Sequence, residues 1–351
     1  MKAFLRPFIV LAGVSAILLL SDLPNRKQSR NTAEICRIAL FRYNSNQILE
    51  ETENGVLSVL QASVPYREGR IQIRRYCAEG DMPTANTIAR SIVSEKFDIV
   101  ISISTPGLQV MANANKNGEV LHVFCAVTDP VAAGVGITGP DPGQHPAHLV
   151  GIGTFQPVEG VFRVAREMFS DLKKVGVVWC ASETCSEACT RKARAICSEL
   201  GIELVETTVE SVTQVYEAAS AVCSRGVQAL WLGGDNVVEP AISMLVDAGS
   251  RVKIPVFTNN PKHSLKGALA NLGANYYQVG QSAGQMVVDI INGLDPKTIG
   301  ITNVVPERLF VNDSVRLLLR DPWTLPESLR PRIDSLIQGP EKTGKALGTN
   351  N

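Results

Sequence analysis

The sequence predicts the α/β class, built as doubly wound, mainly parallel sheets in two lobes. Three observations carry this. Short apolar, β-branched runs alternate with helical stretches, the order that produces parallel strands with crossover helices. The alternation is run through twice, on either side of a Gly- and Pro-rich stretch from 134 to 148. The apolar runs also end in small polar residues, at the strand edge where open α/β sheets bind ligands.

Cys36 to Phe41 reads as the first strand and ends at Tyr43-Asn44. Gln47 to Ala62 has a rough apolar stripe at Ile48, Val56, Leu57 and Leu60 and reads as a helix. Arg70 to Tyr76 alternates as a strand, and Asp81-Met82-Pro83-Thr84 supplies capping types and a proline for a helix through Glu95. Asp98 to Ile103 is a buried-type strand that stops at Ser104-Thr105-Pro106. There the hydroxyls suit an N-cap, and the proline suits a first turn that needs no N–H. A helix to about Asn115, a turn at Asn117-Gly118 and a strand from Val120 to Val127, ending in Thr128-Asp129-Pro130, complete the first half.

The second half repeats the pattern. Strands are expected at Leu149–Thr154, Lys174–Cys180, Ile202–Val209, Val227–Leu232 and Ile254–Asn259. Helices are expected at Gln156–Phe169, Ser182–Leu200, Val212–Ser224 and Glu239–Ala248, with Gly201 placed to end the second of them. Leu265 to Leu272 reads as a returning strand and Tyr276 to Asn292 as a helix. Extended chain is expected around Val304-Val305 and Leu309 to Val311. The tail beyond Leu325 is rich in proline and charge, and 331–351 is expected to be flexible.

Composition narrows the function classes. The chain has 351 residues, 45% hydrophobic and 19% charged, enough for two lobes with their own cores. Lys+Arg and Asp+Glu are equal at 34 each, so no overall field attracts nucleic acid. No serine nucleophile elbow of the G-x-S-x-G kind, no phosphate-binding P-loop and no G-x-G-x-x-G after the first strand is expected. His122 falls in a strand, while His145, His148 and His263 fall in loops without an adjacent nucleophile. No enzyme, catalytic residue, cofactor or metal is therefore expected, and no helix-turn-helix precedes the fold.

Lys2 and Arg6 precede an apolar stretch from Phe8 to Leu20, the pattern of a secretory signal. Its length falls short of the roughly 20 residues of a membrane span, and no clear cleavage site follows. Residues 1–24 read as a signal peptide or an uncleaved anchor and 25–34 as a tether, which places the chain in a periplasmic or other extracytoplasmic setting. Eight cysteines, at 36, 77, 125, 180, 185, 189, 197 and 223, permit disulfides in such a setting. Disulfides are expected, if anywhere, within the stretch from Cys180 to Cys197, with Cys185 and Cys189, four apart at a helix start, as one candidate pair. Cys36, Cys125 and Cys180 equally suit buried strands as small apolar residues.

Several segments together resemble the substrate-binding proteins of bacterial ABC importers, whose characterised members include aromatic amino acid binders. They are Ala78-Glu79-Gly80-Asp81, Asp98 to Pro106, Phe124 to Pro130 with Gly134, Leu230 to Asn236, and Ile254 to Phe257. The stretch from Gly267-Ala268 through Tyr276-Tyr277 to Asp295-Pro296 completes the likeness, which spans about residues 35 to 330. Cys77 stands where the family usually has Asn, and the usual pair after strand one is replaced around Tyr43 to Gln47.

The resemblance implies the type I periplasmic binding protein fold: two flavodoxin-like lobes, a three-crossover hinge and a ligand in the cleft. It assigns 35–133 with 266–303 to lobe 1 and 150–258 with 310–330 to lobe 2. The hinge is then expected at 134–149, 259–265 and 304–309. It also implies ABC permease subunits as partners, an amino-acid-like ligand and a monomeric chain. An anchored module that senses a ligand and signals to a membrane partner is the other reading.

Within such a cleft, Ser104 and Thr105 at a helix N-terminus suit a carboxylate, or serve only as caps. Asp129 suits a ligand ammonium or holds the hinge by backbone hydrogen bonds. Asp235, at a strand tip behind Gly233-Gly234, is the stronger ammonium partner, with Asn236 and Asn259 as its neighbours. Tyr43 and Asn44 complete the first-lobe wall, and Thr128 bonds either the ligand or its own turn. Phe155, Tyr276 and Tyr277 are the candidate stacking rings, although tyrosines at helical spacing also suit a core.

Overall fold

The computed structural model describes residues 35–338, so the proposed signal, tether and last thirteen or so residues lie outside it. Two sheets carry the fold. The first lobe builds β1 (Cys36–Arg42), α1 (Gln47–Ala62), α2 (Val64–Arg67), β2 (Ile71–Cys77), α3 (Met82–Ser94), β3 (Ile99–Ile103), α4 (Thr105–Ala114), β4 (Leu121–Val127) and β5 (Leu149–Gly153). The second builds α5 (Val158–Met168), β6 (Lys174–Trp179), α6 (Thr184–Leu200), β7 (Glu203–Thr208), α7 (Val215–Ser224), β8 (Ala229–Leu232), α8 (Ile242–Arg251), β9 (Val256–Thr258) and β10 (Ala270–Ala274). The chain returns to the first lobe for α9 (Tyr276–Ile291) and β11 (Thr302–Asn303). It ends in the second with β12 (Glu307–Asn312), α10 (Asp313–Arg316) and β13 (Ser335–Ile337).

The strand orders are β11-β5-β4-β3-β1-β2 and β13-β12-β10-β9-β8-β6-β7. Each contains the 2-1-3-4-5 order of the flavodoxin-like fold, and every neighbouring pair except β10 with β12 is parallel. Helix starts follow the predicted chemistry. Asp81 accepts from the Thr84 N–H and Ser104 from the Gly107 N–H, while Gly201 ends α6 in the left-handed conformation, φ 65°.

Each lobe has its own core. In the first, α9 lies against α1 through glycine: an added Cβ would sit 2.0 Å from Thr52 O at Gly280 and 2.0 Å from Tyr277 O at Gly55. In the second, Phe162 packs its ring 5.1 Å from both Trp231 and Phe257 beneath the sheet.

Sheet membership corrects the expected lobe boundaries. Leu149–Gly153 pairs with β4 and belongs to the first sheet, whereas Ala270–Ala274 pairs with β9 and β12 in the second. The crossovers therefore run from Gly153 to Val158, from Ala274 to Tyr276, and from Asn303 to Glu307. The last falls within the expected 304–309. The 134–149 stretch is instead a loop of the first lobe, held by the Ile301 N–H on Pro140 O at 2.7 Å and by His145 on Ile299 O at 2.8 Å. Gly and Pro specify irregular chain, and a surface loop satisfies them as well as a linker does. Residues 259–265 lead through a 3-10 turn into β10 without leaving the second lobe.

The tail also differs from expectation. Residues 335–337 pair with β12, Asp334 accepts from the Leu309 N–H at 2.8 Å and ion-pairs Arg308, and Leu336 joins the second core. All eight cysteines are free thiols, six of them buried, so the stretch from Cys180 to Cys197 holds no disulfide. Within α6, Cys189 and Cys197 pack as small apolar side chains in the second core.

Candidate functional site

The carboxyl ends of both sheets face one another across a cleft, at the switch points between β1 and β3 and between β6 and β8. Between them is a narrow cavity lined by both lobes, with about 400 Å³ of empty space when the adjoining open solvent is included. The first lobe lines it with Asn46, Ile48, Leu49, Ser104, Thr105, Ala126, Thr128 and Tyr276. The second contributes Cys185, Gly234, Asp235, Asn236 and Glu239, and the first crossover Thr154 and Gln156.

Two helix N-termini of the first lobe open on this cavity. Asn46 caps α1 by accepting from the Leu49 N–H at 3.0 Å. Ser104 caps α4 through the Gly107 N–H at 3.1 Å, and Pro106 has no N–H, which leaves the Thr105 amide at the cavity edge. The Thr105 hydroxyl accepts from the Thr128 N–H at 3.3 Å, tying the two strand ends together. Ser104 and Ala126 both have positive φ, 102° and 53°, and β4 shifts register between Phe124 and Val127. Strained backbone thus clusters where the strands present their ends to the cleft.

The second lobe offers buried carboxylates. Asp235 accepts four bonds: from the Cys180 N–H at 2.7 Å, Ser186 Oγ at 2.6 Å, and the Val237 and Val238 N–H groups at 2.9 and 2.8 Å. Glu239 accepts from Asn260 Nδ2 at 2.6 Å and lies 3.0 Å from His263 Nε2. Glu183, half-buried beside them, accepts from the Asn236 N–H at 2.7 Å. Burial, and then the Asp235 charge, push the Glu183 carboxyl up to about 7. Burial also pushes Asp235 up, against the pull of its donors. Because four donors hold the Asp235 carboxylate, the negative charge of the pair rests there and the proton on Glu183. Among the cavity-lining residues there is no Lys, Arg or His.

Of the residues expected at the site, Ser104, Thr105, Thr128, Asp235 and Asn236 line the cavity. The other five have different work. Tyr43 is buried and donates to Gly80 O at 2.9 Å; burial, and secondarily Glu183, push its hydroxyl up to about 12. Asn44 stands at the rim and reaches Asn236 O across the cleft at 3.4 Å. Asp129 accepts from the Ala132 N–H at 3.0 Å and faces Arg191 of the second lobe at 3.9 Å, so it holds a turn of the first lobe rather than the hinge or a ligand ammonium. Phe155 is fixed at the crossover by its N–H on Asn303 Oδ1 at 2.7 Å, and its ring packs on the second core. Asn259 is 1% exposed, and its amide accepts from Trp231 Nε1 at 3.0 Å and donates to Leu272 O at 2.9 Å. Tyr276 lines the cavity, whereas Tyr277 is exposed outside it.

Asn46, Thr154, Gln156, Cys185 and Glu239 line the cavity without having been singled out as binders. Asn46 was findable as a cap before a helical stretch. Thr154 and Gln156 were hidden by the misplaced lobe boundary, which made them ordinary strand and helix ends.

Two arrangements superficially suit catalysis. Gly280-Gln281-Ser282-Ala283-Gly284 spells G-x-S-x-G, contrary to the expectation that the pattern is missing. It lies inside α9 rather than on a strand-to-helix turn, with Ser282 bonded to Gln278 O and its glycines against α1. Ser102 and His122 share a 2.7 Å hydrogen bond but are both wholly buried. Burial lowers the His122 pKa to about 3, so the ring is neutral.

Residues 37–329 match the family model described as ABC transporter substrate binding protein. The chain belongs to that family. Family members bind a small-molecule substrate for an ABC transporter and do not transform it, and they are extracytoplasmic. A curated relative is a tyrosine-binding protein of Clostridioides difficile, 24% identical over 314 residues, 87% of this chain and 89% of the relative. Among solved structures, a conserved domain protein of Vibrio cholerae superposes with TM-score 0.79 at 27% identity, covering 86% of this chain and all of the other. An ABC domain from Streptococcus pneumonia in complex with L-Trp gives the same TM-score at 21% identity, covering 87% of this chain and 100% of that one. The likeness bears out the type I periplasmic binding protein fold for this substrate-binding protein. Among the described residues no helix is long and apolar enough to cross a membrane, and the N-terminal apolar stretch lies outside them.

Proposed function

We propose that this substrate-binding protein serves an importer and closes as a monomer on an amino acid with an aromatic side chain. The observation that carries the reading is the division of chemistry across the cavity. One wall has hydroxyls and two helix N-termini, and the other has buried carboxylates, with no cationic side chain on either. A zwitterion fits that division: its carboxylate goes to Ser104, Thr105 and Thr128, and its ammonium lies in the field of Asp235 and Glu239. Ile48, Leu49 and Tyr276 offer an apolar surface for the side chain. Relatives that take tyrosine and L-Trp support the choice of ligand class.

Asp235 acts in this scheme mainly through its charge and as a brace, because its oxygens already hold four donors. Asn44 and Asn236 meet at the rim and favour the closed state once a ligand joins the walls. The closed protein then delivers its cargo to permease subunits of the transporter.

Thermal-shift screening of the full chain against amino acids, nucleosides and sugars tests the ligand. A stabilisation that rises with concentration of an aromatic amino acid is expected. Shifts confined to sugars or nucleosides would replace the ligand class while leaving the family assignment in place.

A further inference from the structure

Two buried oxygen atoms on the cavity wall have no hydrogen-bond partner among the described residues: Thr154 Oγ1 and Gln156 Oε1. Their residues are 2% and 5% exposed, line the cavity and sit together on the first crossover. The backbone beneath them is pinned. The Thr154 N–H donates to Val127 O at 2.7 Å, and Gln156 O accepts from the Val158 N–H at 2.7 Å.

The Gln156 amide is clamped as well. Its Nε2 donates to Tyr276 Oη of the first lobe at 3.0 Å. Its opposite neighbour is Gly234 of the second lobe, where an added Cβ would meet the Gln156 amide atoms at 3.1–3.2 Å. With the nitrogen engaged by the first lobe and Gly234 of the second close beside the amide, Oε1 is left as a fixed acceptor. A buried acceptor of this kind calls for a donor from the cavity's occupant.

We infer that Gln156 Oε1, with Thr154 Oγ1 beside it, takes the N–H donors of the ligand's ammonium at the hinge. The inference rests on the amino-acid reading of the cleft. It makes the amine, rather than the side chain, the part of the ligand that reports to the crossover. The charge is met by the field of Asp235 and Glu239, while the directional bonds come from the neutral oxygens. Gln156 touches both lobes, so its set of contacts is complete only when the lobes stand as they do here. An amine-bearing ligand then stabilises this closed geometry and a deaminated one does not.

The test compares L-tyrosine and L-tryptophan with their deaminated analogues, 3-(4-hydroxyphenyl)propionate and 3-indolepropionate, by calorimetry on the full chain. Gln156→Met keeps the side-chain length against Gly234 and removes the acceptor, and Thr154→Val keeps the shape. For Gln156→Met, affinity for the amino acid should fall at least about tenfold, and the preference over the deaminated analogue should shrink toward unity. Thr154→Val should move both quantities in the same direction by less.

Gln156→Glu separates the acceptor role from its mirror image. Retained amino-acid binding agrees with an oxygen facing the ammonium, whereas abolished binding means that the amide nitrogen served the ligand carboxylate, which overturns the assignment. Ligand-free melting temperatures identify any variant that fails to fold, and Gly234→Ala, which displaces the same amide, then replaces it. If wild type binds and Gln156→Met binds and discriminates equally well, the two oxygens bond only water and the inference falls alone. A wild-type chain that takes neither amino acid overturns the ligand reading, and this assignment with it.

Discussion

At the scale of single residues, Asp235 and Glu183 show how neighbouring carboxylates acquire different roles. Asp235 is an internal brace holding the start of the Cys180 loop and the Val237-Val238 turn. Asp235→Ala strands three backbone N–H groups and should cost at least about 3 kcal/mol of stability, read from urea unfolding. Unchanged stability would mean that the carboxylate is free for a ligand.

Glu183 holds its proton more tightly in the folded chain, with a pKa of about 7 against an ordinary 4.5. Its stabilising contribution is therefore complete below about 4.5 and is lost as pH rises through about 7. Relative to Glu183→Gln, the wild type should lose about 2 kcal/mol between pH 5 and pH 8; parallel pH profiles would refute the shift. The sequence revealed Asp235 because it follows two glycines at a strand tip. It concealed Glu183, which precedes a helix like many surface glutamates and differs only in the charge that folding brings beside it.

At the scale of elements, the strands and helices were legible and their sheet membership was not. Apolar runs and caps are local signals, so Cys36–Arg42, Ile99–Ile103 and α4 lie close to where pattern placed them. Which sheet β5 and β10 join depends on pairing with β4 and β12, a nonlocal fact with no mark on the strands themselves. The α1–α9 contact is another such fact, since Gly55, Gly280 and Gly284 read locally as helix-weakening residues. Gly280→Ala should destabilise the first lobe by about 3 kcal/mol or more, because the new methyl group meets main chain rather than a movable side chain. A melting temperature equal to wild type would show that the two helices have room to separate.

At the scale of the whole molecule, several polar contacts bridge the lobes at the rim. Glu51 pairs with Lys262, Asp129 faces Arg191, and Gln109 Nε2 donates to Thr184 Oγ1 at 3.2 Å. Part-exposed pairs of this kind contribute little each, so Lys262→Ala should weaken ligand binding only about threefold, by calorimetry. A hundredfold loss would make the rim, rather than the cavity, the source of closure energy. Five of the ten residues expected at the site line the cavity because strand ends mark it in any doubly wound sheet. The crossover residues could be recognised only once the chain's passages between lobes were known.

The central claim is that the cleft between these lobes closes on an amino acid, and small-angle X-ray scattering of the full chain measures it most directly. Saturating L-tyrosine or L-tryptophan should reduce the radius of gyration, with the liganded curve matching the arrangement of the lobes described above and a sugar leaving the curve unchanged. Scattering that is identical with and without either amino acid, at concentrations spanning the millimolar range, would contradict the account.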